Sequence, residues 1–352
     1  MHFSEILINW YLQHKRDLPW RNTKNPYFIW LSEVILQQTR VDQGLPYYLN
    51  FIHSFPTVSD LALADENQVL KLWQGLGYYS RARNLHFTAR LITNEHNGIF
   101  PNNYIKLKEL KGVGDYTAAA IASFAYNLPH PVVDGNVFRF FSRLFDINTP
   151  IDSLIGKKQF LEVAKDLMDA KRPDLFNQAT MEFGATICTP KQPSCALCPF
   201  AQNCLALKHN SIDSRPVKAK KTKQKERFFH YLHLKSNDWL FVQKRTGQDI
   251  WKNLYEFPLI ELKSREKPLS ILKHPFFKEL TGVNWDLIKV SLEYKHILSH
   301  QIIYAVFYEI EIKEMKNLPK ELKSIHFDTL NQFPIPRLID KYLNSKATLE
   351  TL

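Results

Sequence analysis

Nowhere in its 352 residues does the chain hold a run of about 18 apolar residues, so no membrane-spanning helix is expected. Its start, Met1 to Arg16, lacks the apolar core of a secretion signal and carries Glu5, His14, Lys15 and Arg16 instead. An intracellular protein is therefore the expectation. Cysteine is missing everywhere outside residues 188 to 204, which argues against a disulfide framework spread through the fold. Acid is in short supply. There are 35 Asp and Glu against 46 Lys and Arg, a net charge of +11 and a pI of about 9.3. That excess suits a polyanion such as nucleic acid, although a generally basic proteome gives the same balance.

What is present is apolar enough to build cores. Hydrophobic residues make up 45% and aromatics 13%, and the length suits two or three domains. The first 130 residues or so read as helical. Phe3 to Lys15 is amphipathic through Ile6, Leu7, Trp10 and Tyr11. After Leu18-Pro19-Trp20-Arg21 comes a break, then a cap at Asn25-Pro26 and a helix expected over Tyr27 to Thr39. Glu33 is the odd residue in that helix. Ile29, Trp30, Leu36 and Gln37 lie one turn away from it. Burial there would raise its pKa and keep a proton available near neutrality; on a solvated face it would be an ordinary glutamate.

Residues 107 to 136 carry the densest pattern. Leu107 and Leu110 fit one helix face, Gly112-Val113-Gly114 reads as a tight turn, and Tyr116 to Ala125 as a thin alanine-rich helix. Gly112 and Gly114 are expected to permit positive φ and close approach of another backbone. The free amides and positive dipole end of the second helix would suit a phosphate. Alone, such a turn is as readily an ordinary link between helices. Downstream lies Val133-Asp134-Gly135-Asn136. Between the two helical stretches, Trp73-Gln74-Gly75-Leu76-Gly77-Tyr78-Tyr79 reads as a glycine-rich aromatic turn suited to insertion into a duplex. A helix is also expected over Lys158 to Ala170, and Ala179 to Ala185 contains Glu182.

Cys188, Cys195, Cys198 and Cys204 follow the spacing C-x6-C-x2-C-x5-C. Four cysteines in so short a span signal a metal, and spacing alone leaves zinc and iron–sulfur comparable. From Arg215 to Arg227 there are seven basic residues and one acid, which reads as a linker. From Phe228 the pattern turns to strands. Phe228 to Leu234 and Trp239 to Arg245 form a plausible hairpin around Ser236-Asn237-Asp238. Leu269 to Leu280 is a candidate helix, and Ile302 to Ile312 a candidate strand.

Leu-Pro-Trp-Arg at 18–21, Trp-Leu-Ser-Glu-Val-Ile-Leu-Gln-Gln-Thr at 30–39, the Gly75 segment, Gly-Val-Gly with Val-Asp-Gly-Asn, and the cysteine spacing together resemble the endonuclease III superfamily of DNA glycosylases. Within it they resemble the MutY family of adenine glycosylases, and the resemblance covers essentially the whole chain. It implies a multidomain protein: an all-α helix-hairpin-helix glycosylase domain with an iron–sulfur cluster loop, followed by an α+β Nudix-like C-terminal domain. Residues 1–208 would be catalytic, with a six-helix barrel module over about 21–126 and an iron–sulfur module from 1–20 plus 127–208. The linker would span 209–227 and lie along DNA, and the Nudix-like domain 228–352. Trp251 to Pro258 matches a motif of that domain, but no Arg-Glu-x-x-Glu-Glu run stands near Glu279, so pyrophosphate hydrolysis is not expected.

The resemblance also assigns roles. Glu33 would protonate adenine, Asp134 would stabilise the sugar cation, and Tyr116 and Asn136 would position them. Trp20, Arg21 and Glu182 would hold the flipped adenine. Gln38, Thr39, Leu76, Gly77 and Tyr78, with Gly112, Val113 and Gly114, would contact DNA. His296, Leu298, Ser299 and His300 would probe 8-oxoguanine, Leu298 replacing the usual phenylalanine. The four cysteines would hold a [4Fe–4S] cluster. Phe138 stands where relatives often carry a basic residue. The substrate implied is double-stranded DNA with adenine opposite 8-oxoguanine or guanine, acted on by a monomer in a bacterial cytoplasm. The alternatives are a glycosylase/lyase on oxidised pyrimidines, whose nucleophilic lysine would stand where Tyr116 does, and a non-catalytic DNA-binding or iron–sulfur sensor.

Overall fold

The computed structural model describes residues 2–219, 224–281, 284–313 and 319–350. Lys220, Lys221 and Lys223 of the basic linker lie outside them. The chain forms two compact units, residues 1–63 with 84–221 and residues 64–83 with 222–352.

Among the described residues the first unit is helical. It contains α1 (Phe3–His14), α2 (Pro26–Leu36), α3 (Val41–Ser54) and α4 (Val58–Leu63). In chain order α5 (Glu66–Leu72) belongs to the second unit, and α6 (Ser80–His96) runs from the second into the first. Then follow α7 (Tyr104–Glu109), α8 (Asp115–Tyr126), α9 (Gly135–Leu144), α10 (Leu154–Leu167), α11 (Pro173–Thr186) and the short α12 (Leu205–Lys208). One core is drawn from both ends of this unit. Leu7, Trp10 and Tyr11 of α1 meet Phe140 and Phe141 of α9, Phe160 of α10, and Phe176 and Phe183 of α11. Phe200 closes it, and Cys188, Cys198 and Cys204 pack on its edge. Truncating one such buried phenylalanine to alanine typically costs about 3–5 kcal/mol, so the cysteine loop rests on a firm base. Elsewhere α8, thinned by Ala118 to Ala122, packs on α2.

Two helix boundaries differ from expectation. α2 stops at Leu36 rather than Thr39, because Gln37 leaves helical ψ and Gln38 takes φ 54°. α10 covers Leu154–Leu167 rather than 158–170, because the Ser153 hydroxyl caps it early by accepting from Gly156 N at 2.9 Å.

The second unit is α+β. It contains β1 (Lys225–Ser236), β2 (Trp239–Lys244), β3 (Tyr255–Glu256), β4 (Leu259–Leu262), α13 (Pro275–Thr281), β5 (Trp285–Val290), β6 (Tyr294–Ile297), β7 (Gln301–Ile312), β8 (Leu322–His326) and α14 (Arg337–Glu350). β1 and β2 form the anticipated hairpin, with Ser236 opposite Trp239. The sheet order is β3-β2-β1-β7-β5, with β4 on β1, β6 on β7 and β8 on β2. Its centre is the parallel pair β1–β7, running from Lys225 opposite Gln301 to Lys235 opposite Glu311. Leu232, Leu234, Phe241, Tyr308 and Ile310 of the sheet and Phe277 of α13 build its core. The single helix expected over 269–280 is broken. A 3-10 turn at Pro268–Lys273 ends at His274, whose ψ of 136° precedes Pro275 as a residue before proline prefers.

Candidate active site

Glu33 sits inside α2. Asn25 caps that helix by accepting from Tyr27 N at 3.0 Å, and Pro26 occupies its first position. Ile29, Trp30, Leu31, Val34 and Ile35 around Glu33 are all buried, and Glu33 itself is only 6% exposed. It borders a cavity of about 560 Å³ that Tyr116, Asp134 and Asn136 also line. Burial pushes its pKa up to about 7, the nearby Asp134 carboxylate adds to the rise, and a hydrogen bond from Tyr116 opposes it. Burial, then the two neighbouring carboxylates, hold the Tyr116 hydroxyl protonated as a donor.

Asp134 reaches the cavity from the N-terminus of α9. Its Oδ1 accepts from Asn136 N at 2.9 Å and Val137 N at 2.8 Å, and its Oδ2 from Asn136 Nδ2 at 2.7 Å. Burial raises its pKa, and these three bonds with the Arg139 charge work against that rise by favouring the anion. Glu33 accepts one such bond among the described residues, from Tyr116. The two carboxyls are thus set apart, one suited to hold a proton and the other to lack it. Arg139, which sequence reasoning missed, fixes Asn136 by donating to its Oδ1 at 2.8 Å. It also donates to Cys188 O at 2.6 Å and to the Gly184 carbonyl. Its spacing of three from Asn136 on one helix face was the available signal.

The far wall of the cavity is built from Trp20, Arg21, Gln178 and Glu182. Glu182 is fully buried in a fork of arginines: Arg16 Nε to Oε1 at 2.8 Å, Arg16 Nη2 to Oε2 at 2.7 Å, and Arg21 Nη2 to Oε2 at 2.6 Å. Burial alone would raise its pKa, but the Arg16 and Arg21 bonds outweigh that and hold it at about 2. Trp20 meets Tyr48 edge-on at 5.1 Å. Gln178 Oε1 accepts from Tyr11 OH at 2.8 Å. Arg16 and Gln178 lie 166 and 167 residues from these partners, which no local pattern reveals.

The helix–turn–helix hairpin is α7, Leu110 to Gly114, and α8. Gly112 has φ 82°, and a Cβ there would stand 2.8 Å from Asn84 Cβ, so both conformation and packing demand glycine. Gly114 departs from the expectation: its φ is −90°, in an extended cap, and a Cβ there would meet no neighbour, so neither conformation nor packing demands glycine at that position. Val113 is buried, and its backbone N donates to Leu110 O at 3.0 Å within the turn. Gln38 is exposed on a left-handed backbone, Thr39 is half-buried, and Phe138 packs edge-on against Phe160 at 5.1 Å.

Cys188, Cys195, Cys198 and Cys204 line one small cavity of about 30 Å³ with Phe140, Phe183 and Phe200. Arg143 straps the loop, donating to Cys188 Sγ at 3.5 Å, Thr189 O at 2.7 Å and Pro190 O at 3.2 Å. Burial raises the Cys198 thiol to about 11, and the three sister thiols add to the rise. Among the described residues no three His, Cys, Asp or Glu side chains are gathered tightly enough to hold a single metal ion.

In the second unit a cavity of about 470 Å³ is lined by Gly75 to Ser80 and by His296 to His300. Tyr78 is 43% exposed on a left-handed backbone at φ 48°, whereas Leu76 is buried. Gly77 O accepts from Trp73 Nε1 at 3.0 Å and Arg81 Nη2 at 3.3 Å, which fixes the turn. Ser299 and His300 are exposed and share a 3.1 Å hydrogen bond; His296 and Leu298 are half-buried. No helix among the described residues is long and apolar enough to cross a membrane.

Residues 31–165 match the model of the HhH-GPD superfamily of base excision DNA repair proteins, and residues 230–345 that of the NUDIX domain. The adenine DNA glycosylase of Buchnera aphidicola subsp. Acyrthosiphon pisum is 33% identical over 349 residues, 97% of each chain. That of Homo sapiens is 44% identical over 213 residues, 58% of this chain and 39% of the human one. A thermostable thymine-DNA glycosylase structure superposes with TM-score 0.55 at 28% identity, covering 59% of this chain and 95% of its own. An endonuclease III–DNA complex shares the helical fold, with TM-score 0.50 at 21% identity, covering 60% of this chain and 99% of its own. With a near full-length match to one adenine glycosylase and both domain models in place, the chain belongs to the adenine DNA glycosylase family.

Proposed function

We propose that this protein is a monofunctional base excision repair glycosylase that removes adenine opposite 8-oxoguanine or guanine in duplex DNA. The observation that carries the reading is Glu33, held near a pKa of about 7, lining one cavity with Asp134. Adenine lies stacked in a duplex, so it must be flipped out to reach this cavity. Trp20, Arg21 and Glu182 line the wall that would receive it. Protonated Glu33 gives its proton to adenine N7 as the C1′–N9 bond breaks, and adenine leaves as the neutral N7–H tautomer. The Asp134 carboxylate stabilises the positive charge left on the sugar, as the second carboxylate does in retaining glycosidases. Asn136 and Tyr116 hold the two acids in register. Water adds at C1′, its proton passes to Glu33, and the acid is restored.

Lyase activity needs an amine nucleophile. Tyr116 occupies the position at issue, and no lysine is among the residues lining the cavity. Gln38, Thr39, Leu76, Gly77 and Tyr78 act on the duplex around the displaced base, the hairpin amides at Gly112 to Gly114 hold a phosphate, and His296, Leu298, Ser299 and His300 read the opposite base.

Cys188, Cys195, Cys198 and Cys204 fit a [4Fe–4S] cluster. Four thiols share one cavity beside buried phenylalanines, and Arg143 donates to a cysteine sulfur. The cluster would supply cross-linking of the 188–204 loop rather than redox turnover. The domain division at 1–208, 209–227 and 228–352 follows from the same reading.

The test is product analysis on duplexes carrying adenine opposite 8-oxoguanine, guanine or thymine. Release of free adenine from the first two, an intact but alkali-labile strand, and no release from the third are expected. Excision of an oxidised pyrimidine with strand cleavage would replace this reading by the lyase one.

A further inference from the structure

Outside glycine, asparagine and aspartate, positive φ is found among the described residues at Gln38, Tyr78, Gln192 and Trp251. Such backbone is strained for a bulky side chain and persists only where the surroundings enforce it. Gln38 and Tyr78 already have a place at the DNA. Trp251, at φ 59°, has none.

The turn around Trp251 is enforced from several directions. Asn253, itself at φ 67°, donates from its backbone to Arg245 O at 2.7 Å and from Nδ2 to Glu66 Oε1 at 2.5 Å. Arg83 Nη1 donates to Lys252 O at 2.8 Å, and Leu254 N to Trp251 O at 3.0 Å. Arg245 is in turn anchored to Glu256 at 2.8 Å and Asp249 at 2.8 Å. The result is a tryptophan only 7% exposed, with Phe229 on one side at 6.3 Å and His296 at 5.7 Å. Trp251 lines the same cavity as His296 to His300, with the Gly75–Ser80 turn also on its wall.

We propose that Trp251 is a positioning residue for the His296–His300 loop and thereby sets how sharply 8-oxoguanine is told from guanine. The loop backbone is closed by Leu298 N donating to Gln301 O at 2.8 Å, but its tip side chains Ser299 and His300 are exposed, and base-edge hydrogen bonds depend on how the whole loop is held. The Trp251 ring gives His296, the residue where the loop begins, a rigid floor. The bonds from Arg83 and to Glu66 hold that floor in its strained conformation. These two residues come from 64–83, so the turn beside Tyr78 and the probing loop rest on one support. This inference rests on the reading that the 296–300 loop faces the opposite base.

Single-turnover adenine release by the full chain, on duplexes with adenine opposite 8-oxoguanine and opposite guanine, tests it. Ser299→Ala/His300→Ala serves as the reference variant and is expected to lose preference for 8-oxoguanine. Trp251→Leu should reduce that preference by about tenfold, the scale of one good base-edge contact. Its rate on the guanine duplex should stay within about twofold, as expected for a change in a compact unit that contains neither Glu33 nor Asp134. Asn253→Gly, which keeps the left-handed backbone available, should retain more preference than Asn253→Ala, an ordering that simple loss of the Glu66 bond would not produce. If the reference variant loses preference while Trp251→Leu and Asn253→Ala retain it, the positioning role is overturned and the recognition reading stands. If Trp251→Leu loses preference but the reference variant does not, Trp251 acts elsewhere and the proposal is equally overturned. Should Trp251→Leu fail to fold, the Asn253 pair decides by the order of its two preferences.

Discussion

Glu33→Gln should sharply slow adenine release and stabilise the protein at alkaline pH. In the fold the carboxyl titrates at about 7 instead of 4.5, because burial disfavours its charge and Asp134 adds to the effect. The native state therefore binds this proton more tightly than the unfolded chain does. Its contribution to stability is fully present below pH 4.5 and is lost as pH rises through about 7. At about 1.36 kcal/mol per pH unit, the rise from 4.5 to about 7 corresponds to about 3 kcal/mol. Glutamine keeps the shape and can still accept from Tyr116, but it never ionises. The stability difference between variant and wild type should therefore grow by about 3 kcal/mol from pH 4.5 to pH 8 and then level off. Denaturant melts of both proteins across that range measure it. Over the same range, loss of a general acid should lower single-turnover release by about a hundred- to ten-thousand-fold, with mismatch binding retained. A stability difference independent of pH would refute the burial argument. Near-normal release by the variant would remove Glu33 from the chemistry.

Cys198→Ala should purify without the iron and visible absorbance of the wild type and bind DNA more weakly, which iron analysis and a binding titration check. Gly112→Ala forces a side chain into φ 82° and against Asn84, so DNA affinity and thermal stability should both fall, by about 1 kcal/mol or more in stability. Glu182→Gln leaves Arg16 and Arg21 without their counter-charge. The stabilisation that Glu182 provides above pH 4.5, and that the wild type loses as pH falls toward about 2, should be missing, as melts at pH 7 and pH 3 will show. Ser299→Ala/His300→Ala should cut the preference for 8-oxoguanine over guanine by about tenfold while the release step on bound guanine duplex changes little, measured by single-turnover rates on both.

Local chemistry made much of this protein legible in its sequence. The apolar residues one turn from Glu33 left its burial open, and the family resemblance of residues 30–39 favoured it; in the fold it is buried. The hairpin at Asn237 followed from turn residues between two runs rich in aromatic and aliphatic side chains. Four cysteines in one window signalled a metal, and in the fold all four line one cavity. What escaped was non-local or conformational. Arg16 and Glu182 are 166 residues apart, and only the packing of α1 against α11 brings them together. Arg139 joins Asn136 to the cysteine loop, a link between residues 136 and 188 that no local pattern shows. The early end of α2 depends on Gln38 adopting a left-handed backbone that its residue type does not favour. Trp251 shows the same limit. Its motif was visible, but the strain in its backbone was not. The assignment of residues 64–83 to the same compact unit as the C-terminal sheet also follows from contacts and not from any break in composition.

The central claim is that a buried acid with a pKa of about 7 drives the departure of adenine. The most direct test is the pH dependence of single-turnover adenine release by the wild-type protein on a duplex with adenine opposite 8-oxoguanine. The account predicts a rate that is level on the acidic side and falls about tenfold per pH unit above about 7, as Glu33 loses its proton. A rate that stays constant, or rises, from pH 6 to pH 9 would contradict it.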